Sequence, residues 1–237
     1  MKYSEIRDKY QNSDYLFVVD RYACLISPLI TNVLLKTNFT PNMITVMMMI
    51  SGIIGSILFA SQSLLIKIIG ILFIHLWYIL DCSDGEVARI NKKFSKFGKE
   101  IDYTAHILNH PLFTLSFMVS IMQLKKYNST FVAVAFMILI IINLMFRSML
   151  LFNSIYEEKM NDQRKNIIKY QNINFKRKLM DNLSTYPNFV LIFPIIYIID
   201  LIWKTNFSMI YVVSFAIISS IIIYLKLFNW IRKIINL

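Results

Sequence analysis

Apolar residues in this chain occur in runs of about twenty, separated by short polar segments, rather than in the alternation typical of a half-buried strand. A helix of that length crosses about 30 Å of hydrocarbon. The runs predict six transmembrane helices, at about 42–61, 63–81, 101–123, 130–152, 186–203 and 207–228. The sequence therefore predicts an all-α, polytopic membrane protein.

A different apolar pattern precedes the first predicted span. Within residues 22–34 the apolar side chains recur at helical spacing, which places them on one face of a helix lying along the membrane surface. Thr40 and Pro41 then form a helix start signal, with a hydroxyl at the N-cap and proline at the first helical position. We expect residues 1–41 to carry an amphipathic surface helix and residues 42–237 to form the six-helix transmembrane domain.

Lysine and arginine are distributed unevenly between the two sides of the predicted bundle. With a cytoplasmic N-terminus, 21 of the 25 basic residues lie on the inner side and four on the outer side. This asymmetry follows the positive-inside rule, so we expect a multi-pass protein of the cell membrane. It also explains the net charge of +11 through topology and anionic lipid, so that no nucleic-acid partner is expected. Cys24 and Cys82 both fall on the inner side, where reduced thiols are the default.

The stretch from Asp81 to His110 concentrates ionisable residues where the second span ends and the third begins. Asp81 and Asp84 share one helical face, and Asp102 and His106 share another. If the two spans are antiparallel neighbours, these faces converge at the cytoplasmic end of the bundle. Charged groups at such depth are costly unless they are paired, hydrated or bound to a metal. Because oxygen ligands favour Mg²⁺, Mn²⁺ or Ca²⁺ over zinc, the sequence predicts a divalent-metal site there.

The residues beside the carboxylates are of types that suit contacts with a phosphate-bearing ligand. Gly85 leaves room for a bulky group or an ion near the backbone. Arg89 lies so near the acidic cluster that a functional role is favoured for it. The lysines of the following loop also supply positive charge, although the positive-inside rule explains them equally well.

Other unusual residues inside the spans predict packing rather than chemistry. Gly52, Gly55 and Gly70 are small residues of the kind that let membrane helices approach closely. His75 lies mid-span among aromatic neighbours and is predicted to be a packed core residue rather than a ligand.

The spacing of the acidic cluster is similar to the signature of the CDP-alcohol phosphotransferase family. The signature residues in this chain are Asp81, Asp84, Gly85, Ala88, Arg89, Gly98 and Asp102. The segment TPNMIT at 40–45 also resembles the start of that family's first membrane helix, and the six predicted spans agree with its architecture. The resemblance covers nearly the whole chain.

This resemblance implies a metal-dependent transferase that moves the substituted phosphate of a CDP-linked alcohol to the hydroxyl of a second alcohol and releases CMP. It implies a homodimer in contact with membrane lipid, a site facing the cytoplasm, and two divalent ions, Mg²⁺ or Mn²⁺. The implied metal ligands are Asp81, Asp84 and Asp102. The residues implied to shape or contact the CDP moiety are Gly85, Ala88, Arg89 and Gly98.

The sequence departs from the family pattern at His106, which stands where the pattern has a fourth aspartate, usually proposed as the general base. In one interpretation His106 acts with Asp102 as a working substitute, since imidazole can accept a proton near neutral pH or ligate a metal. In a second interpretation, the site is altered and another group, such as Asn109, His110 or a metal-bound water, takes the role of the fourth aspartate. In a third, the chain is an inactive member retained for CDP-alcohol binding or assembly.

Two further questions stay open at the level of sequence. The donor is either CDP-diacylglycerol or a soluble CDP-alcohol, and a phospholipid-type product is favoured because such products are the commonest in this family. The polar segment 153–185 is either a basic linker on anionic headgroups or a surface helix at the acceptor entrance. A transporter is disfavoured, because the chain shows no repeated halves.

Overall fold

The computed structural model describes residues 3–11, 18–161 and 185–235, and within these ranges the chain forms eight helices and no strand. The helices are α1 (Tyr3–Tyr10), α2 (Val18–Leu34), α3 (Pro41–Phe59), α4 (Leu64–Asn91), α5 (Gly98–Gln123), α6 (Ser129–Asn161), α7 (Tyr186–Trp203) and α8 (Phe207–Ile235). The six helices from α3 to α8 are long and apolar enough to cross a membrane. The predicted all-α fold with six spans is confirmed.

Four helices, α4, α5, α6 and α8, extend beyond the spans predicted for them, α4 and α6 the furthest. Helix α4 continues past Asp81 to Asn91 and ends where Lys92 adopts a left-handed backbone with φ 51°. The signature from Asp81 to Arg89 therefore lies on one continuous helix. Helix α6 likewise extends into the polar segment predicted at 153–185, and the rest of that segment, 162–184, lies outside the described residues.

Short connections between consecutive helices make their neighbours antiparallel. The turns at 60–63, 92–97, 124–128 and 204–206 contain only three to six residues each. We call the end of the bundle where α4 finishes and α5 begins the site end. Helix α7 also starts there, because the hydroxyl of Tyr186 at its first residue donates to the backbone carbonyl of His110 in α5 at 2.7 Å.

Helices α3 and α4 approach each other backbone to backbone at Gly55 and Gly70. A β-carbon placed on Gly70 would lie 2.6 Å from the backbone nitrogen of Phe59 and 3.0 Å from the carbonyl oxygen of Gly55. The hydroxyl of Ser51 also donates to the carbonyl of Phe73 across the same interface at 2.9 Å. This geometry agrees with the close approach predicted from the small residues, and it fixes α4 relative to α3.

Helix α2 lies against α4 with its apolar stripe turned outward. Leu25, Leu29 and Val33 are exposed, whereas Ser27 and Thr31 on the opposite face are completely buried. A helix that buries its small and polar face on the bundle and presents its apolar face outward is placed to contact lipid with that face. The predicted N-terminal amphipathic helix is thus present, and its polar side docks on the helix that carries the signature.

Lys67 occupies an unexpected place at the end of the bundle opposite the site end. It is one of the four basic residues that the positive-inside pattern puts on the outer side, yet it is only 2% exposed. Its Nζ donates to the carbonyl of Phe59 and to the hydroxyl of Ser120, both at 2.8 Å, and lies over the rings of Phe59 and Tyr197. The ammonium group therefore joins α3, α5 and α7 to α4, because hydrogen bonds and aromatic faces replace its water.

The close approach of α3 and α4 predicts that Gly70→Ala destabilises the protein by about 1–3 kcal/mol, since the clashing atoms belong to the backbone and cannot rotate away. Thermal unfolding in detergent measures the effect. Ile69→Ala is the matched control, because Ile69 is the neighbouring residue and is 40% exposed. Equal melting temperatures for the two variants would contradict this packing.

Candidate metal centre

Three potential ligands from two helices converge at the site end. Helices α4 and α5 both pack on α3, and this arrangement brings Asp81 of α4 to Asp102 and His106 of α5. One ligand atom from each of the three lies within 4.8 Å of the others. His106 Nε2 is 3.2 Å from Asp81 Oδ1 and 3.4 Å from Asp102 Oδ1. The two predicted faces of the cluster therefore meet.

The spacing and the chemistry of these three groups fit a divalent cation. Two ligands bound at right angles, each about 2.1 Å from an ion, lie about 3 Å apart, which is close to the separations of His106 Nε2 from the two carboxylates. Two carboxylates also repel each other unless a cation lies between them. The side chains of Asp81 and Asp102 are 23% and 45% exposed, against 8% for His106, so the carboxylates can be reached from outside.

Asp84, the third carboxylate of the signature, is directed to a different partner. Its Oδ2 accepts a hydrogen bond of 2.7 Å from the hydroxyl of Thr45 in α3. Among the described residues it is not part of the three-ligand group. Thr45 is the last residue of the TPNMIT segment at the start of α3, so this hydrogen bond links that segment to the signature.

The residues implied to contact the CDP moiety lie on both sides of the loop between α4 and α5. The guanidinium of Arg89 folds back over Gly85, where a β-carbon would be 3.0 Å from its Nη1. Arg89 Nε also donates to the backbone carbonyl of Tyr10 in α1. Ala88 is half-buried beside Arg89 on α4, and Gly98 begins α5. The glycine and the arginine thus share one surface of α4.

Glu86 is a buried carboxylate at this end that the sequence analysis missed. It is 1% exposed and accepts hydrogen bonds from the hydroxyls of Ser27 at 2.5 Å and Thr31 at 2.6 Å and from the amide of Gln11 at 2.8 Å. The signal in the sequence was the pair Ser27 and Thr31, four residues apart and opposite the apolar stripe of α2. Glu86 therefore attaches α2 to the helix that carries the signature.

Behind His106 lie His110, which the sequence offered as an alternative to His106, and two residues of α6, Asn143 and Arg147, that sequence reasoning missed. His106 Nδ1 is 3.3 Å from Nε2 of His110, one turn further along α5. Nε2 of His110 is also 3.3 Å from Nη2 of Arg147, and Asn143 of α6 contacts the other ring nitrogen. His110 is 1% exposed, so it supports His106 from behind rather than facing the carboxylates. Arg147 had been assigned only to the positive-inside asymmetry.

Two other residues considered in the sequence analysis also lie away from the ligand atoms. The amide of Asn109, oriented for hydrogen bonding, accepts from Trp77 Nε1 at 3.0 Å and donates to the carbonyl of Met49 at 3.2 Å. Asn109 is therefore occupied in joining α5 to α3 and α4. His75 packs edge-on against the ring of Tyr22 of α2 with ring centroids 5.6 Å apart, and it is not part of the three-ligand group.

Comparison with protein families matches the chain along most of its length. The family described as CDP-alcohol phosphatidyltransferase matches residues 38–231, a range that includes all three converging ligands. The chain belongs to the CDP-alcohol phosphatidyltransferase family. Comparison with curated proteins finds no match. Membership in the CDP-alcohol phosphatidyltransferase family supports a membrane transferase that takes the phosphoalcohol of a CDP-alcohol, and it confirms the resemblance read from the signature.

The contacts of Glu86 predict that Glu86→Ala loosens α2 from the bundle. Without the carboxylate, the buried hydroxyls of Ser27 and Thr31 lose their acceptor, at a cost of about 1–3 kcal/mol each if they stay buried. Hydrogen exchange should therefore quicken in α2, and the melting temperature should fall. Glu100→Ala is the control, because Glu100 is exposed on the first turn of α5. Unchanged exchange in α2 of the Glu86 variant would contradict the attachment.

Proposed function

We propose that this protein transfers the substituted phosphate of a CDP-alcohol to a hydroxyl acceptor and releases CMP. The observation that carries the proposal is the convergence of Asp81, Asp102 and His106 at the signature of the family to which the chain belongs. In the transfer, the acceptor oxygen bonds to the phosphorus that carries the donor alcohol. The bond from that phosphorus to the oxygen of CMP breaks, and the acceptor hydroxyl gives up its proton.

The proposed metal ligands are Asp81, Asp84, Asp102 and His106. Divalent ions held there would polarise the pyrophosphate of the donor and stabilise the charge of the leaving CMP, and Mg²⁺ or Mn²⁺ suits this donor set. The convergence of Asp81, Asp102 and His106 supports a shared ion. Asp84 lies on the same helix one turn further on, where its bond to Thr45 holds it beside α3.

Asp102 and His106 are the proposed catalytic residues. His106 Nε2 and Asp102 Oδ1 lie 3.4 Å apart, so both atoms border the place where the acceptor hydroxyl would arrive. Asp102 is the more exposed of the two. This exposure supports Asp102 as the group that meets the acceptor, and His106 takes the position that the signature gives to a fourth aspartate.

The proposed donor contacts are Gly85, Ala88, Arg89 and Gly98. Arg89 places a guanidinium directly over Gly85, and a guanidinium binds phosphate oxygens in a two-pronged manner. The bond from Arg89 to the carbonyl of Tyr10 holds the side chain in that position from outside the bundle. A nucleotide phosphate would then bind the guanidinium that lies above Gly85.

The setting that we propose is the cell membrane, with the site end and the N-terminus in the cytoplasm. The asymmetry of the basic residues supports this orientation. We further propose residues 1–41 as a cytoplasmic surface segment, residues 42–237 as the catalytic domain, and a homodimer as the working form. The donor is CDP-diacylglycerol or a related CDP-linked alcohol, and the product belongs to phospholipid or related phosphoalcohol synthesis.

The experiment that tests the function is CMP release by the purified protein in nanodiscs. A panel of CDP-alcohols, including CDP-diacylglycerol, is combined with glycerol phosphate, inositol phosphate, serine and other acceptors, with Mg²⁺, Mn²⁺ or EDTA. We expect release that requires metal, donor and acceptor together. A protein that binds CDP-alcohol but releases no CMP with any pair would instead be a binding or assembly subunit.

A substitution of Asp102 in the same CMP-release assay tests its proposed catalytic role. Asp102→Asn keeps the shape of the side chain but removes its charge and its basicity, so we expect turnover to fall by about 10²–10⁴-fold. Glu100→Gln, the same change two residues away on an exposed side chain, should leave turnover unchanged. Full turnover in the Asp102 variant would remove Asp102 from the proposed catalytic residues.

A further inference from the structure

The hydrogen bonds behind His106 determine which of its ring nitrogens carries a proton. Arg147 Nη2 and His106 Nδ1 both lie 3.3 Å from the same atom, Nε2 of His110, and this shared nitrogen joins the three side chains in one chain. Histidine nitrogens can donate or accept, but a guanidinium has donors only and no acceptor. Arg147 therefore sets the direction of the whole chain.

Because Arg147 must donate, Nε2 of His110 must accept. Neutral His110 then carries its proton on Nδ1, next to the side-chain amide of Asn143. Both amide atoms of Asn143 lie near this nitrogen, the oxygen at 3.3 Å and the nitrogen at 3.1 Å. An amide can rotate to present its oxygen, whereas a guanidinium cannot become an acceptor, so Arg147 decides the tautomer.

The same logic fixes His106. Since Nε2 of His110 is an acceptor, Nδ1 of His106 is a second donor that shares its lone pair with Arg147, and the neutral ring of His106 has its own lone pair on Nε2. That lone pair is the atom that lies 3.2 Å from Asp81 Oδ1 and 3.4 Å from Asp102 Oδ1. In a metal centre this lone pair is directed at the ion, which takes the place that a proton on Nε2 would otherwise fill between His106 and the two carboxylate oxygens.

We infer that His106 Nε2 is a direct metal ligand and that His110, oriented by Arg147 and Asn143, is its positioning residue. The arrangement matches the usual support of a metal-bound histidine, whose other ring nitrogen donates to a neighbouring acceptor. Here the acceptor is an imidazole that is itself held by α6. The inference deepens the proposed function, on which it rests for the use of the site but not for the binding of the ion.

A nitrogen ligand changes which ion the centre prefers. Mg²⁺ favours oxygen ligands and retained water, whereas imidazole suits first-row transition ions. The centre of Asp81, Asp102 and His106 therefore prefers a first-row divalent transition ion, such as Mn²⁺, over Mg²⁺. The proton of the acceptor then passes to the carboxylate of Asp102 or to solvent, because Nε2 of His106 is occupied by the metal.

The first test is spectroscopic and uses the protein without nucleotide. Pulsed electron paramagnetic resonance of Mn²⁺ bound to the purified protein should show modulation from a directly coordinated nitrogen. His106→Asp restores an oxygen ligand, so the modulation should disappear and the preference for Mn²⁺ over Mg²⁺ in competition titrations should decrease. Wild-type protein that binds Mn²⁺ without nitrogen modulation would overturn the inference.

The second test separates positioning from mere folding. His110→Leu removes the acceptor for His106, and we expect Mn²⁺ affinity to fall by about 10–100-fold, as for other residues that orient a ligand. His110→Gln keeps an acceptor oxygen on a flexible amide and should restore both the affinity and the nitrogen modulation. Similar affinity in the Leu variant and the wild type, or no rescue by Gln in a folded protein, would contradict the positioning role.

His75→Leu is the matched control for the histidine substitutions, because His75 lies in a neighbouring membrane helix and not in the three-ligand group. Its Mn²⁺ affinity should equal that of the wild type. The two proposals can fail separately. CMP release without nitrogen coordination would support the transferase function but reject the ligand role of His106. Nitrogen coordination without CMP release would support the ligand role of His106 but reject the transferase function.

Discussion

Two carboxylates held close together at the end of a membrane bundle repel each other, and the site end of this protein is arranged around that repulsion. Asp81 and Asp102 come from different helices, yet both lie within 3.4 Å of the same imidazole nitrogen. A divalent ion bound there, as we propose, would supply the attraction that makes the convergence favourable and would attract the pyrophosphate of a nucleotide donor.

The rest of the fold holds the two helices in this relation. Helix α3 lies between α4 and α5, and the backbone contact at Gly55 and Gly70 fixes its position against α4. At the site end, Thr45 bonds to Asp84, and Glu86 receives the hydroxyls of α2. Helix α2 is thereby attached to the helix that carries the signature.

The regular features of this architecture could be predicted from the sequence because single patterns determine them. Runs of apolar residues gave the six spans, helical spacing gave the surface helix, and the signature gave Asp81 and Asp102. Glu86, His110, Asn143 and Arg147 could not be placed in the same way. Their roles depend on which side chains of α2 and α6 lie opposite them, and spacing along one helix does not contain that information. Lys67 is a similar case, since its burial follows from three other helices that enclose it.

His106 shows how structure changes the interpretation of a substitution. In the sequence it is a departure from an acidic motif, for which a base, a metal ligand, another group in its place and a lost activity are the interpretations. In the structure its Nε2 faces both carboxylates, and its Nδ1 is held by His110. His110 therefore holds His106 in place, and α6 in turn holds His110. This arrangement is consistent with a working centre in which a nitrogen ligand replaces a carboxylate oxygen.

The most direct test of this account is to locate the ion. X-ray diffraction from crystals of the protein soaked with Mn²⁺ would give an anomalous scattering map. The account predicts a peak bounded by Asp81, Asp102 and Nε2 of His106. A manganese peak elsewhere in the bundle, or one held by the carboxylates with His106 turned away, would contradict it.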